Sequence, residues 1–118
     1  MTALDYLQVL HVIKEGVQRS ICQYESIWDG SNKVGYRRLY VEGGQFFLGD
    51  LYIFEAYRRA GIGTLVVRDV IHRATAQRLP LVLYVLRQNT QAVALYRRLG
   101  FVVEEVVGTR YKMIWRQN

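Results

Sequence analysis

Two short stretches of this chain combine residue types and spacings that could do chemistry. The first is Arg58-Arg59-Ala60-Gly61-Ile62-Gly63-Thr64. Its two glycines let the backbone turn sharply and come close to a ligand. An apolar stripe at helical spacing follows, so the loop leads into a helix N-terminus with unpaired N–H groups and a positive dipole end. Such a corner binds anions and suits a pyrophosphate, with Arg58 and Arg59 adding charge at the rim. It is neither a Walker loop, since no Gly-Lys-Ser/Thr follows, nor a Gly-x-Gly-x-x-Gly dinucleotide fingerprint. A plain strand-to-helix turn would use the same glycines. The second stretch is Asn89 with Ala92 and Tyr96, three and then four residues on. That spacing lines up one face of a helix, where Tyr96 is either a core aromatic with its hydroxyl at the edge or a proton donor.

Periodicity gives the elements that must position these residues. Thr2 and Asp5 resemble a capping box, and Leu4, Leu7 and Leu10 follow at helical spacing as far as Gly16. A helix is therefore expected over residues 3–15, with a strand over 6–13 as the alternative. Residues 20–28, 34–41 and 46–54 read as strands of an antiparallel meander, divided by Asp29-Gly30-Ser31-Asn32 and by Gly43-Gly44. Residues 61–78 carry Ile62, Leu65, Val66, Val70, Ile71 and Ala74 as a helical stripe bounded by Pro80. The apolar run from Leu81 to Leu86 suits a strand buried on both faces. Residues 90–99 form a second helix with Ala92, Val93, Leu95, Tyr96 and Leu99 inward and Gly100 as its stop. Residues 101–107 and 110–115 close as a hairpin. The order predicts an α/β (α+β) mixed sheet rather than a bundle or a barrel.

With 118 residues, 51% hydrophobic and 22% charged, the chain suffices for one domain over residues 1–118 and is too short for two. Its longest apolar run is far too short to cross a bilayer, and Asp5, His11 and Lys14 interrupt what a secretory signal would need. Cys22 alone allows no internal disulfide. A cytoplasmic protein away from membranes is expected. Lysine and arginine total 16 against 10 acidic residues, and thirteen of them are arginine. Arginine favours planar pairing with phosphate or carboxylate, so a nucleotide cofactor, a nucleic acid or an anionic surface is the favoured partner class. The pairs Arg37-Arg38, Arg58-Arg59 and Arg97-Arg98 equally fit a solvated basic surface.

Taken in order, the two stretches resemble the GCN5-related N-acetyltransferase (GNAT) superfamily. Its Arg/Gln-x-x-Gly-x-Gly/Ala motif is matched by Arg58, Gly61 and Gly63, and its Asn-x-x-Ala-x-x-x-Tyr with a following Gly-Phe by Asn89, Ala92, Tyr96, Gly100 and Phe101. The match is firm over residues 51–115 and loose over the meander. The resemblance implies a GNAT-like acyl-CoA N-acyltransferase fold in which residues 51–55 and Leu81–Leu86 splay apart and hold acetyl-CoA as co-substrate, with no metal. It implies that the backbone N–H groups of Arg59, Ala60, Gly61, Ile62, Gly63 and Thr64 bind the pyrophosphate. Backbone groups at Ile53 and Glu55 would hold the pantetheine arm and polarise the thioester carbonyl, and Asn89 would bond the arm or order a water. Tyr96 would be the general acid that protonates the departing thiolate. The acceptor amine must lose a proton, and Glu25, Glu42, Asp50 and Glu55 are candidate bases among which the sequence does not choose.

Two positions depart from the family pattern. Glu55 stands where relatives often have proline, bringing a carboxylate close to the pyrophosphate that Arg58 or Arg59 must offset. Only 57 residues precede the loop, so the first strand and one helix of the family domain are expected to be missing or shrunken. An opened acceptor wall and an uncovered sheet edge would follow, and the edge invites pairing into a homodimer. The leading expectation is an acetyl-CoA-dependent N-acetyltransferase that acts on a primary amine by direct transfer. One alternative is a catalytically impaired acyl-CoA-binding relative serving as a regulatory module. Another is a nucleic-acid-binding domain using Arg37, Arg38 and the tyrosines of residues 34–41, although no recognition helix or RNA-binding signature is present. The positive charge disfavours polyamine and aminoglycoside acceptors.

Overall fold

The computed structural model describes residues 10–15 and 23–117. Along them run β1 (Leu10–Glu15), β2 (Gln23–Asp29), β3 (Asn32–Glu42), β4 (Gln45–Ile53), α1 (Ile62–Ala76), β5 (Leu81–Leu86), α2 (Thr90–Arg98), β6 (Val102–Val107) and β7 (Arg110–Trp115). The strands form one mixed sheet in the order β1-β2-β3-β4-β5-β7-β6. Every neighbouring pair is antiparallel except β4 with β5, which run parallel. The meander is as expected, and Gly43 and Gly44 turn β3 into β4 with φ of 55° and 74°. A two-residue hairpin turn of type I′ demands that left-handed pair of conformations.

The N-terminal stretch needs a correction. Leu10–Glu15, expected to complete a helix, is a strand paired antiparallel to β2 from Leu10↔Asp29 to Glu15↔Tyr24. The β-branched pair Val12 and Ile13 suits that pleat, and a complete ladder with β2 outweighs a local helical spacing. The rest of the expected helix, residues 3–9, lies outside the described residues. A first strand is therefore present, not missing. Seven residues, 16–22, separate it from β2.

One face of the sheet carries both helices. Val67, Val70 and Ala74 of α1 pack on Leu39, Phe46, Leu48, Leu81, Leu83 and Val85, and Ala92, Val93, Tyr96 and Leu99 of α2 join the same cluster. Leu95, also expected inward, is half-buried outside it. Beneath α1, Arg37 and Glu25 are 1% and 2% exposed. Arg37 Nε donates to Glu25 Oε1 at 2.9 Å and its Nη1 lies 2.8 Å from Asp69 Oδ2. Arg73 Nη1 bonds both Glu25 oxygens at 3.1 and 3.2 Å. This network ties β2 and β3 to α1 and removes Arg37 from the basic surface.

Candidate active site

The parallel pair β4–β5 is hydrogen-bonded only over Phe46↔Leu81, Phe47↔Val82 and Leu48↔Leu83. Both strands continue, β4 to Ile53 and β5 to Leu86, but beyond Leu48 and Leu83 they diverge. A bulge helps to bend β4 away. Asp50 faces Arg38 and Leu48 faces Leu39, which leaves Gly49 as the extra residue. A Cβ on Gly49 would lie 2.6 Å from the Arg38 guanidinium, so glycine is what lets Arg38 cross the bulge. The divergence opens a cleft of about 200 Å³ lined by Leu48, Gly49, Asp50, Leu51, Leu83, Tyr84, Val85 and Leu86, with Asn89, Ala92 and Tyr96 closing one side. Pockets for whole ligands run to about 300–1,000 Å³, so this cleft fits the reacting end of a long molecule.

Backbone polarity at the mouth follows from the strand register. Phe54 N donates to Val34 O at 2.9 Å, which makes Gly35↔Ile53 a non-hydrogen-bonded pair. The N–H and C=O of Ile53 therefore point away from β3, toward the gap. Arg58 Nε donates to the Ile53 carbonyl at 2.8 Å, and its guanidinium lies 5.1 Å from the Tyr52 ring centroid. The Ile53 N–H is left facing the space between the strands. Glu55 does not extend β4 as expected. The strand ends at Ile53, and Glu55 opens a 3-10 turn, Glu55–Tyr57, whose carbonyl accepts from the Arg58 N–H at 3.2 Å.

The glycine loop follows that turn. Arg59 and Gly61 take φ of 65° and 80°, and such left-handed residues curve backbone N–H groups into an anion-holding concavity. Gly61 is the N-cap of α1 without any side-chain cap. The first bond onto it comes from Leu65 N at 3.2 Å, so the N–H groups of Ile62, Gly63 and Thr64 point out of the helix end. Gly63 sits in the first turn at a helix-propensity cost of about 1 kcal/mol. A Cβ there would meet nothing within 4 Å, so no internal contact demands the glycine, and the backbone is open to close approach from outside. Ala60 is exposed beside it. None of residues 58–64 lines the cleft itself.

Asn89 and Tyr96 do line it. Asn89 caps α2, its Oδ1 accepting from Ala92 N at 3.3 Å, which leaves the amide NH₂ as the part of this lining side chain still able to donate. Tyr96 packs against Phe101 with centroids 5.6 Å apart. Burial pushes its phenol above the ordinary value, so the group stays protonated. The four candidate bases separate. Glu25 is consumed by Arg37 and Arg73, Glu42 is exposed at the β3–β4 hairpin, and Glu55 lies in the 3-10 turn. Asp50 alone of the four lines the cleft, with its Oδ2 2.8 Å from Arg38 Nε and 3.5 Å from the Tyr24 hydroxyl. Nothing local in the sequence singles out Gly49 or Tyr84. Two-residue alternation along β5 does place Tyr84 and Leu86 together on the exposed side.

This geometry agrees with the comparisons. Residues 8–101 match the acetyltransferase (GNAT) family. The chain belongs to the GNAT acetyltransferase family. Among curated relatives, the mycothiol acetyltransferase of Corynebacterium glutamicum (strain R) is 39% identical over 84 residues, which cover 67% of this chain and 28% of that protein. The chain thus spans little more than a quarter of the length of the curated relatives it matches. The PaiA N-acetyltransferase of Thermoplasma acidophilum, solved with coenzyme A, superposes with a TM-score of 0.70 at 26% identity over 81% of this chain and 61% of its own. A GNAT acetyltransferase of Elizabethkingia anophelis, solved with acetyl-CoA, gives 0.79 at 12% identity over 92% of this chain and 99% of its own, a likeness of fold. The splayed β4–β5 pair is thus the GNAT fold in this chain.

Proposed function

We propose that this GNAT domain is an acetyl-CoA-dependent N-acetyltransferase that moves the acetyl group directly to a primary amine. The observation that carries the reading is the cleft between the diverging ends of β4 and β5, where Tyr96, Asn89 and Asp50 converge. Unpaired strand edges suit an arm rich in amide groups, and the outward N–H groups of the loop at residues 59–64 suit its pyrophosphate. Asp50 takes the proton from the acceptor ammonium, directly or through a water. The Ile53 N–H faces the oxygen on which negative charge develops as the amine attacks the thioester carbon. Tyr96 then gives its phenolic proton to the departing sulfur, a role its raised phenol is suited to hold. Arg58 fixes the Ile53 peptide through its carbonyl rather than serving only as rim charge.

The reading treats residues 1–118 as one working domain in the cytoplasm, which the lone Cys22 supports. A nucleic-acid platform on β3 is disfavoured, since Arg37 is buried and Arg38 is paired with Asp50. The test is acetyl-CoA consumption with a panel of amines. Tyr96→Phe should lower kcat by about 100-fold while acetyl-CoA affinity holds. An unchanged kcat removes Tyr96 as the acid, and no transfer to any amine removes the enzyme reading in favour of an acyl-CoA-binding module.

A further inference from the structure

A second cleft of about 610 Å³ adjoins the first. It is lined by Leu86, Arg87, Gln88, Thr109 and Tyr111, and Leu86 is also a wall of the cleft that holds Tyr96 and Asp50. Its frame is fixed across the sheet, because Arg87 N donates to Thr109 O at 2.9 Å and β5 pairs with β7 through Leu86↔Arg110. The Arg87 guanidinium rests 5.7 Å from the centroid of the Tyr111 ring. Stacking on an aromatic face restrains the planar donor group without consuming its N–H bonds.

The contrast with the other arginines near the sheet is informative. Arg37, Arg38, Arg73 and Arg116 are each paired with a carboxylate and Arg58 is spent on the Ile53 carbonyl, whereas Arg110, opposite Leu86 on β7, has no ion pair among the described residues but does not line this cleft. Among the described residues no acidic side chain is within ion-pair reach of Arg87. One unpaired guanidinium, beside the neutral donors of Gln88 and Thr109, matches a single negative charge of planar shape. The net charge of +6 favours an anionic ligand over a polycation.

Resting on the transferase reading above, we propose that this second cleft holds the carboxylate of the acceptor, and that the acceptor class is a primary amine bearing a carboxylate. Arg87 is then a specificity residue that binds the end of the acceptor remote from the reacting nitrogen.

The experiment uses the full chain, acetyl-CoA and matched acceptors, namely glycine, β-alanine and phenylalanine, each against its carboxamide. For at least one pair the acid should show a KM lower than the amide by roughly tenfold or more. Arg87→Gln should erase that difference by raising the KM of the acid, with kcat and the KM of the amide unmoved, and Arg87→Lys should restore part of it. Equal KM values within every pair, transfer to the amides alone, or an acid preference that survives Arg87→Gln would overturn the proposal while leaving the transferase reading intact. Absence of transfer to acids and amides alike, in a protein that still binds acetyl-CoA by calorimetry, brings down the transferase reading and this inference with it.

Discussion

On the helix side of β3, Arg37 is 1% exposed and clamped by Glu25 and Asp69, whereas its neighbour Arg38 lies on the opposite side, crossing the Gly49 bulge to meet Asp50 at the cleft. The two residues carry the same charge and adjoin in sequence, yet strand alternation assigns them different work. The helix side is sealed, and a carboxylate placed there, such as Glu25, is structural. The other side leaves its ion pair accessible, and a carboxylate placed there, such as Asp50, can meet a substrate. That sorting favours Asp50 as the proposed base among carboxylates that look equivalent in the sequence.

Breaking each pair in turn should expose the difference. Arg37→Ala leaves Glu25 and Asp69 facing a lost cation beneath α1 and should cost about 3–5 kcal/mol of stability. Arg38→Ala should cost less than about 1 kcal/mol, since its pair with Asp50 is solvated. Urea unfolding of the two variants reads both values, and equal losses would erase the contrast. Sharpening it further, Asp50→Asn should reduce turnover by about 100-fold with the unfolding midpoint nearly unmoved. Glu25→Gln should do the reverse, lowering the midpoint while the surviving folded protein keeps its kcat.

The smallest effect concerns pH. Burial raises the Tyr96 phenol, so the folded chain holds a proton that the unfolded chain releases near pH 10. This contribution to stability is complete below that pH and is lost as pH rises through the higher folded value. Turnover measured across alkaline buffers should therefore show no Tyr96-dependent fall below about pH 10. A fall at lower pH that disappears in Tyr96→Phe would contradict the assignment.

Much of the candidate site was legible because it is local. Gly61 and Gly63 mark the loop by their own backbone freedom, and Asn89, Ala92 and Tyr96 mark one helix face by spacing alone. What was not legible depends on residues far apart in sequence. The helical spacing of Leu4, Leu7 and Leu10 points to a helix through Glu15, but pairing with β2 makes Leu10–Glu15 a strand. The choice of Asp50 rests on the register shift opposite Arg38 and Leu39, and no window of sequence displays it. Arg37-Arg38 reads as a surface pair until α1 is known to cover one of the two.

The most direct test of the central claim is a calorimetric titration of acetyl-CoA into the wild-type chain and into Ala92→Trp. Ala92 lines the cleft between β4 and β5, and an indole there would fill it. Wild type should saturate at micromolar concentrations, about −8 kcal/mol, while the folded variant shows no binding at the same concentrations. A wild type that fails to bind at millimolar acetyl-CoA, or a variant that binds as tightly as wild type, would contradict the assignment of the cleft as the acetyl-transfer site.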